Sequence, residues 1–87
     1  GNPKLRILNC NGSTKSGYGM LSTINLSYTP NLETLNLKNN KLTEINVSNL
    51  VKLTELDLSG NPGANFKLPS AIFNNLTTTK NKGVEAE

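Results

Sequence analysis

The sequence predicts a solenoid of short repeats that stacks one strand per repeat into a short parallel β-sheet, with little α-helix. Three observations lead to this prediction: a composition dominated by two residue types, a repeat period of 21 residues, and an alternation of leucines within each repeat. Stacked repeats of this length bury a continuous core that no single repeat can form alone.

Leucine and asparagine dominate the composition. They occur 14 and 15 times among 87 residues, whereas the chain has two Phe, two Tyr and no Trp. A chain of this length buries only about 60–65% of its unfolded surface. Because few aromatic side chains are present to anchor a core, the apolar residues have to be placed regularly. The composition is therefore typical of a repeat protein forming a single domain.

The period is visible when residues 21–40 are aligned with residues 42–61, since eight of the twenty positions are identical. Both copies carry the spacing L-x-x-L-x-L-x-x-N. Its members are Leu32, Leu35, Leu37 and Asn40 in one copy, and Leu53, Leu56, Leu58 and Asn61 in the next. A period in this range indicates a solenoid.

This spacing resembles that of leucine-rich repeat proteins, over about residues 5–76, although Gly63 replaces the last leucine of the second copy. The short period and the segment 42–47 most resemble bacterial surface proteins with internalin-like repeats. The resemblance implies an α/β-type, right-handed solenoid with the parallel sheet on its concave face and irregular or 3-10 connections on its convex face. It also implies a protein partner bound by the concave strands, and an extracellular or cell-surface location.

The alternation within a repeat follows from strand geometry. Leu35 and Leu37 lie two residues apart, so an extended strand points both to one face, and the residues between them point to the other. The leucine face is predicted to be the core. The asparagine that follows each strand is predicted to be structural, because its amide can donate to and accept from backbone groups that the bend leaves unpaired. These structural asparagines are Asn40 and Asn61.

The chain divides into three predicted parts. Residues 1–20 are a degenerate N-terminal repeat followed by a Gly/Ser-rich loop, with Cys10 in the place of a buried leucine. Residues 21–76 are the leucine-rich repeats, the last of which is degenerate. We expect residues 77–87 to be a polar, disordered tail, although residues 77–82 have an alternative role as a polar edge of the sheet.

The outward-facing strand positions form the candidate binding face, which is polar and mixed in charge. Its residues are Asn9, Asn11, Thr34, Asn36, Lys38, Glu55, Asp57 and Ser59, with Arg6 and Ile7 beside them. Solvent-facing positions are polar in any soluble protein, so the pattern is equally compatible with a face that binds nothing.

Several classes of chemistry are disfavoured by what the chain lacks. It has no His and only one Cys, which disfavours His-based catalysis, zinc binding and an internal disulfide. Glu55 and Asp57 would lie about 6.5–7 Å apart along a strand, as glycosidase carboxylates do. A glycosidase would also need a cleft and an acid with a raised pKa, which an open sheet does not provide. A calcium site at this pair would need a third carboxylate nearby, and the sequence places none there. We therefore predict no enzyme, no cofactor and no metal.

The distribution of charge and apolar residues bears on partners. The net charge is +3, but the lysines are spread along the chain without interleaved aromatic residues, so no nucleic-acid partner is predicted. The longest apolar runs are pairs, which predicts no membrane insertion. The predicted function is non-catalytic protein binding; the alternatives are a structural spacer or cap of a larger surface protein, then a carbohydrate-binding module, which the missing Trp disfavours.

Overall fold

The computed structural model describes residues 2–12, 21–63, 65–79 and 83–87. The predicted Gly/Ser-rich loop beyond Gly12 lies outside the described residues.

One short strand from each repeat joins a parallel sheet. In spatial order its strands are β1 (Ile7–Asn9), β2 (Thr34–Asn36), β3 (Glu55–Asp57) and β5 (Thr78–Thr79). The register places Leu8, Leu35 and Leu56 level with one another. The extra residues between β1 and β2 therefore do not shift the strand pairing, and the leucines of successive repeats point to the same face.

A second parallel sheet, separate from the first, has two strands. It consists of β4 (Phe66–Leu68) and β6 (Val84–Ala86). A single helical turn, α1 (Ser70–Phe73), follows β4 and is the only helix in the described part of the chain. Short parallel sheets with almost no helix fit the predicted leucine-rich repeat fold.

The core is a stack of leucines inside the repeats. Ten side chains are less than 2% exposed: Leu32, Leu35, Leu37, Leu42, Leu50, Leu53, Leu56, Leu58, Leu68 and Val47. In the first repeat, Leu8 and Cys10 are only half-buried and pack against the edge of this stack. Cys10 is thus less buried than predicted, because a repeat at the end of the stack has a neighbour on one side only.

The connections between strands are irregular. They contain isolated hydrogen bonds from a backbone N–H to the carbonyl three residues earlier, as from Leu32 to Thr29 and from Leu50 to Val47. No 3-10 helix occurs in these connections within the described residues. The sequence therefore predicted their irregular character, while the helical alternative is not observed there.

The end of the chain differs from the expected disordered tail. Thr78–Thr79 pair with β3 at the edge of the large sheet, and Val84–Ala86 pair with β4. Lys67 and Glu85 form an ion pair across the small sheet at 3.5 Å. The expectation was wrong for these residues because strand pairing uses backbone groups, which polar residues supply as well as apolar ones.

Two equivalent positions have left-handed backbone conformations. Asn39 has φ of 60° and Gly60, one period later, has φ of 74°. Each directly precedes a structural asparagine, so this turn aims the following amide at the core. A Cβ atom at Gly60 would collide with Oδ1 of Asn39 and lie 3.2 Å from its Cγ.

We expect Gly60→Ala to lower the free energy of unfolding by about 2 kcal/mol, since a left-handed residue with a Cβ costs roughly 1–2 kcal/mol before any collision. Urea denaturation followed by circular dichroism measures this. The matched change Asn39→Gly removes the colliding atom, so Gly60→Ala should cost less in the Asn39→Gly background than in the parent, a comparison that cancels the effect of Asn39→Gly itself. An equal cost in the two backgrounds would contradict the collision.

Candidate functional site

The outer face of the large sheet carries the predicted binding residues. Thr34 is level with Glu55 and with the exposed Ile7, while Asn36 is level with Asn9 and Asp57. On each of the three strands the residues of the outer face flank a leucine that points inward. The register therefore arranges the outward side chains in rows that run across the strands.

A third row follows where the strands end. Backbone hydrogen bonds continue beyond the sheet, from Gly12 N–H to Lys38 O and from Asn39 N–H to Ser59 O, each 2.8 Å long. This pairing keeps Asn11, Lys38 and Ser59 close together, with Asn11 exposed and the other two half-buried. The structure thus places all eight predicted residues on three neighbouring repeats.

The row formed by Asn9, Asn36 and Asp57 also fixes the backbone where the strands end. The side-chain oxygens of Asn9 and Asn36 accept hydrogen bonds from the backbone N–H groups two residues later, at 3.1 and 3.2 Å. Oδ1 of Asp57 accepts bonds from both the N–H and the hydroxyl of Ser59, at 3.0 and 2.6 Å. These Asx turns end the three strands at the same level. One oxygen of each residue has a structural role, and the rest of each side chain faces outward.

Charged and hydroxyl groups connect neighbouring repeats on this face and just before its strands begin. The hydroxyl of Thr34 donates to Oε2 of Glu55 at 3.2 Å. Nε of Arg6 lies 3.9 Å from Oε2 of Glu33, and both side chains are largely exposed. Exposed pairs of this kind contribute about 0–1 kcal/mol, so they orient side chains more than they stabilise the fold.

Asn40 and Asn61 connect each strand end to the preceding repeat. The amide nitrogen of Asn40 donates to the carbonyls of Cys10 and Leu37, at 2.8 and 3.0 Å, and its oxygen accepts from Leu21 N–H at 3.2 Å. Asn61 repeats this pattern one period later, donating to Leu37 and Leu58 and accepting from Leu42. Both residues therefore satisfy backbone groups from two repeats.

Two further sets of side chains connect repeats and were missed in the sequence. Asn31 and Asn75, which directly precede the first leucine of a repeat, donate to backbone carbonyls of the preceding repeat. Thr54 and Thr77, which directly follow that leucine, donate through their hydroxyls at 3.3 and 3.1 Å. These residues could have been found from their equivalent positions beside the first leucine of each repeat. Counting identical residues between two aligned repeats does not reveal them.

The described residues include no group of three His, Cys, Asp or Glu side chains placed to hold a metal ion. Glu55 and Asp57 lie on the open outer face of β3. Within the described part of the chain, no helix is both long and apolar enough to cross a membrane. The chemistry that this face provides is hydrogen bonding by amides and hydroxyls, together with a few exposed charges.

Residues 30–69 match a family model described as "Leucine Rich repeats (2 copies)". The matched stretch contains both complete copies of the leucine spacing together with β2, β3 and β4, and it supports a leucine-rich repeat protein. Leucine-rich repeats are generally modules for protein interaction and are typically non-catalytic. No curated protein and no solved structure matches the chain. The internalin-like, bacterial character stays a prediction.

Proposed function

We propose that this protein is a non-catalytic protein-binding module whose partner contacts the outer face of the large sheet. The observation that carries the proposal is the register, which holds eight polar side chains in three rows on neighbouring repeats. We further infer that the repeats form a right-handed solenoid, which would make this face the concave one. An extracellular or cell-surface location remains an expectation from the family resemblance.

The rows would favour binding because their geometry is fixed before a partner arrives. The Asx turns of Asn9, Asn36 and Asp57 hold one atom of each side chain, and the inward leucines hold the backbone beneath them. Ordering fewer side chains on association lowers the entropic cost of binding. Lys38, Glu55 and Asp57 would then select a partner with complementary charges.

The charges of this face provide the test. We expect the double variant Lys38→Glu, Glu55→Lys to bind its partner with an affinity lower by about tenfold or more, equivalent to roughly 1.4 kcal/mol of binding free energy. Circular dichroism should show that the variant remains folded. Asp57 is left unchanged because its carboxylate ends β3. The measurement is affinity capture from extracellular or cell-surface material, quantified by mass spectrometry.

The matched control is Lys67→Glu, Glu85→Lys, which reverses the same two charges at an exposed ion pair of the small sheet, outside the predicted face. A partner retained by the parent and by this control, and lost from the first variant, supports binding at the sheet. Equal retention by all three proteins contradicts it. Capture of no partner at all would favour the spacer or cap, the alternative in which this segment has no ligand.

A further inference from the structure

A second candidate surface lies outside the sheet, along residues 22–30. Three adjoining cavities of about 430, 240 and 350 Å³ follow this segment. The first and second share Ile24 and Asn46, and the second and third share Ser27. Because each cavity shares at least one lining residue with the next, the three lie side by side on the surface, and we call them together the connection groove.

One end of the connection groove has an apolar floor and a hydroxyl-rich rim. Ile24 and Ile45 are half-buried and form the floor, while the exposed Ser22, Thr23 and Thr43 line the rim. Hydroxyl groups both donate and accept hydrogen bonds and rotate to suit a ligand. This end therefore suits a ligand with an apolar face and a polar edge.

The middle of the groove is lined by three asparagines with fixed amides. Oδ1 of Asn25 and of Asn46 accepts a backbone N–H two residues later, at 2.9 and 3.0 Å. Each amide nitrogen is left without a partner among the described residues. Asn49 has the opposite arrangement, because its nitrogen donates to Leu26 O at 2.9 Å and its oxygen is left to accept. Free donors and a free acceptor side by side match ligand hydroxyls, which need both.

The other end of the groove is an aromatic platform. Tyr28 is 64% exposed, the highest exposure of any large hydrophobic side chain in the described residues, and it lines the cavity with Pro3, Ser27 and Pro30. A tyrosine ring presents an apolar face and a polar tip to the same ligand. The C–H face of a sugar ring can pack on such a surface while its hydroxyls stay hydrogen-bonded.

Charge narrows the ligand class further. Among the described residues that line the connection groove, Glu44 alone is charged. A polyanion would meet no cation in the groove and one carboxylate, which disfavours it. We propose that the connection groove is a binding site for a neutral oligosaccharide, with Tyr28 as the platform and the three asparagines as hydrogen-bonding partners. This site is separate from the sheet face and does not depend on the proposed protein partner.

Binding is tested by titrating the isotopically labelled protein with a panel of neutral hexose and N-acetylhexosamine oligosaccharides, in both α and β linkages. The measurement is the change in backbone amide chemical shifts. We expect at least one oligosaccharide to shift resonances of residues 22–30 and 43–49 and to leave residues 34–38 and 55–59 unchanged. No shift with any member of the panel, or shifts confined to the sheet face, would overturn the proposal.

Two matched pairs of variants locate the site. Tyr28→Ala removes the platform, whereas Val51→Ala removes a side chain of similar exposure, 62%, outside the groove. Ser27→Arg fills the junction of two cavities, whereas Ala71→Arg adds the same side chain at an exposed position outside the groove. We expect Tyr28→Ala and Ser27→Arg each to weaken binding by about tenfold or more and both controls to bind like the parent. Unchanged binding by the first two variants would overturn the assignment. Either result leaves the test of the sheet face unaffected.

Discussion

Asn40→Ala is expected to lower the free energy of unfolding by about 3 kcal/mol or more, because each buried polar group left without a partner costs roughly 1–3 kcal/mol. Asn40 is only 6% exposed. Its side chain satisfies the carbonyls of Cys10 and Leu37 and the N–H of Leu21. Alanine would strand the Cys10 carbonyl and the Leu21 N–H, while the Leu37 carbonyl would keep its bond from Asn61, and it would also leave a cavity where the amide was.

The measurement is urea denaturation followed by circular dichroism, in trimethylamine N-oxide if the variant is unfolded in buffer, since that osmolyte favours the compact state. The control is Asn49→Ala, which removes a single side-chain bond to Leu26 O from a half-buried position. We expect this control to cost about 1 kcal/mol, the usual contribution of one hydrogen bond. Equal effects of the two substitutions would show that Asn40 is an ordinary polar residue.

Gly63→Leu restores the leucine that the second repeat lacks, yet we expect it to destabilise the protein by about 1–3 kcal/mol, the range for overpacking a core. A Cβ atom at Gly63 would collide with Cζ of Phe66 and lie 2.9 Å from its two Cε atoms. Phe66 is 2% exposed, so its ring is enclosed by the core. The ring therefore occupies the space that Leu42 fills one period earlier.

The compensating change is Phe66→Ile, since isoleucine stands at the equivalent position 45 of the preceding repeat. Alone it should destabilise the protein by leaving a cavity. Combined with Gly63→Leu it should recover most of the lost stability, giving a double-mutant coupling of about 1–3 kcal/mol. Thermal or urea denaturation of the four proteins measures this coupling. Simple additivity would contradict the exchange of volume between the two residues.

Much of the large sheet could be predicted from the sequence. Leu35 and Leu37 point inward and Thr34, Asn36 and Lys38 line the other face, because strand geometry alone alternates neighbouring side chains. The candidate binding face follows from the same rule. Its Asx turns were not predicted, since they depend on the backbone angle at which each strand ends.

The spacing of leucines and asparagines in the sequence determined which residues form the core, where the central strands lie and which side chains share a face, because these properties depend on a local period. Only the tertiary structure decided the rest. The ring of Phe66 fills the space beside Gly63, β6 pairs with β4, and the connection groove forms between neighbouring repeats. These features depend on volumes and backbone groups meeting across repeats, and such non-local contacts have no periodic signature in the chain.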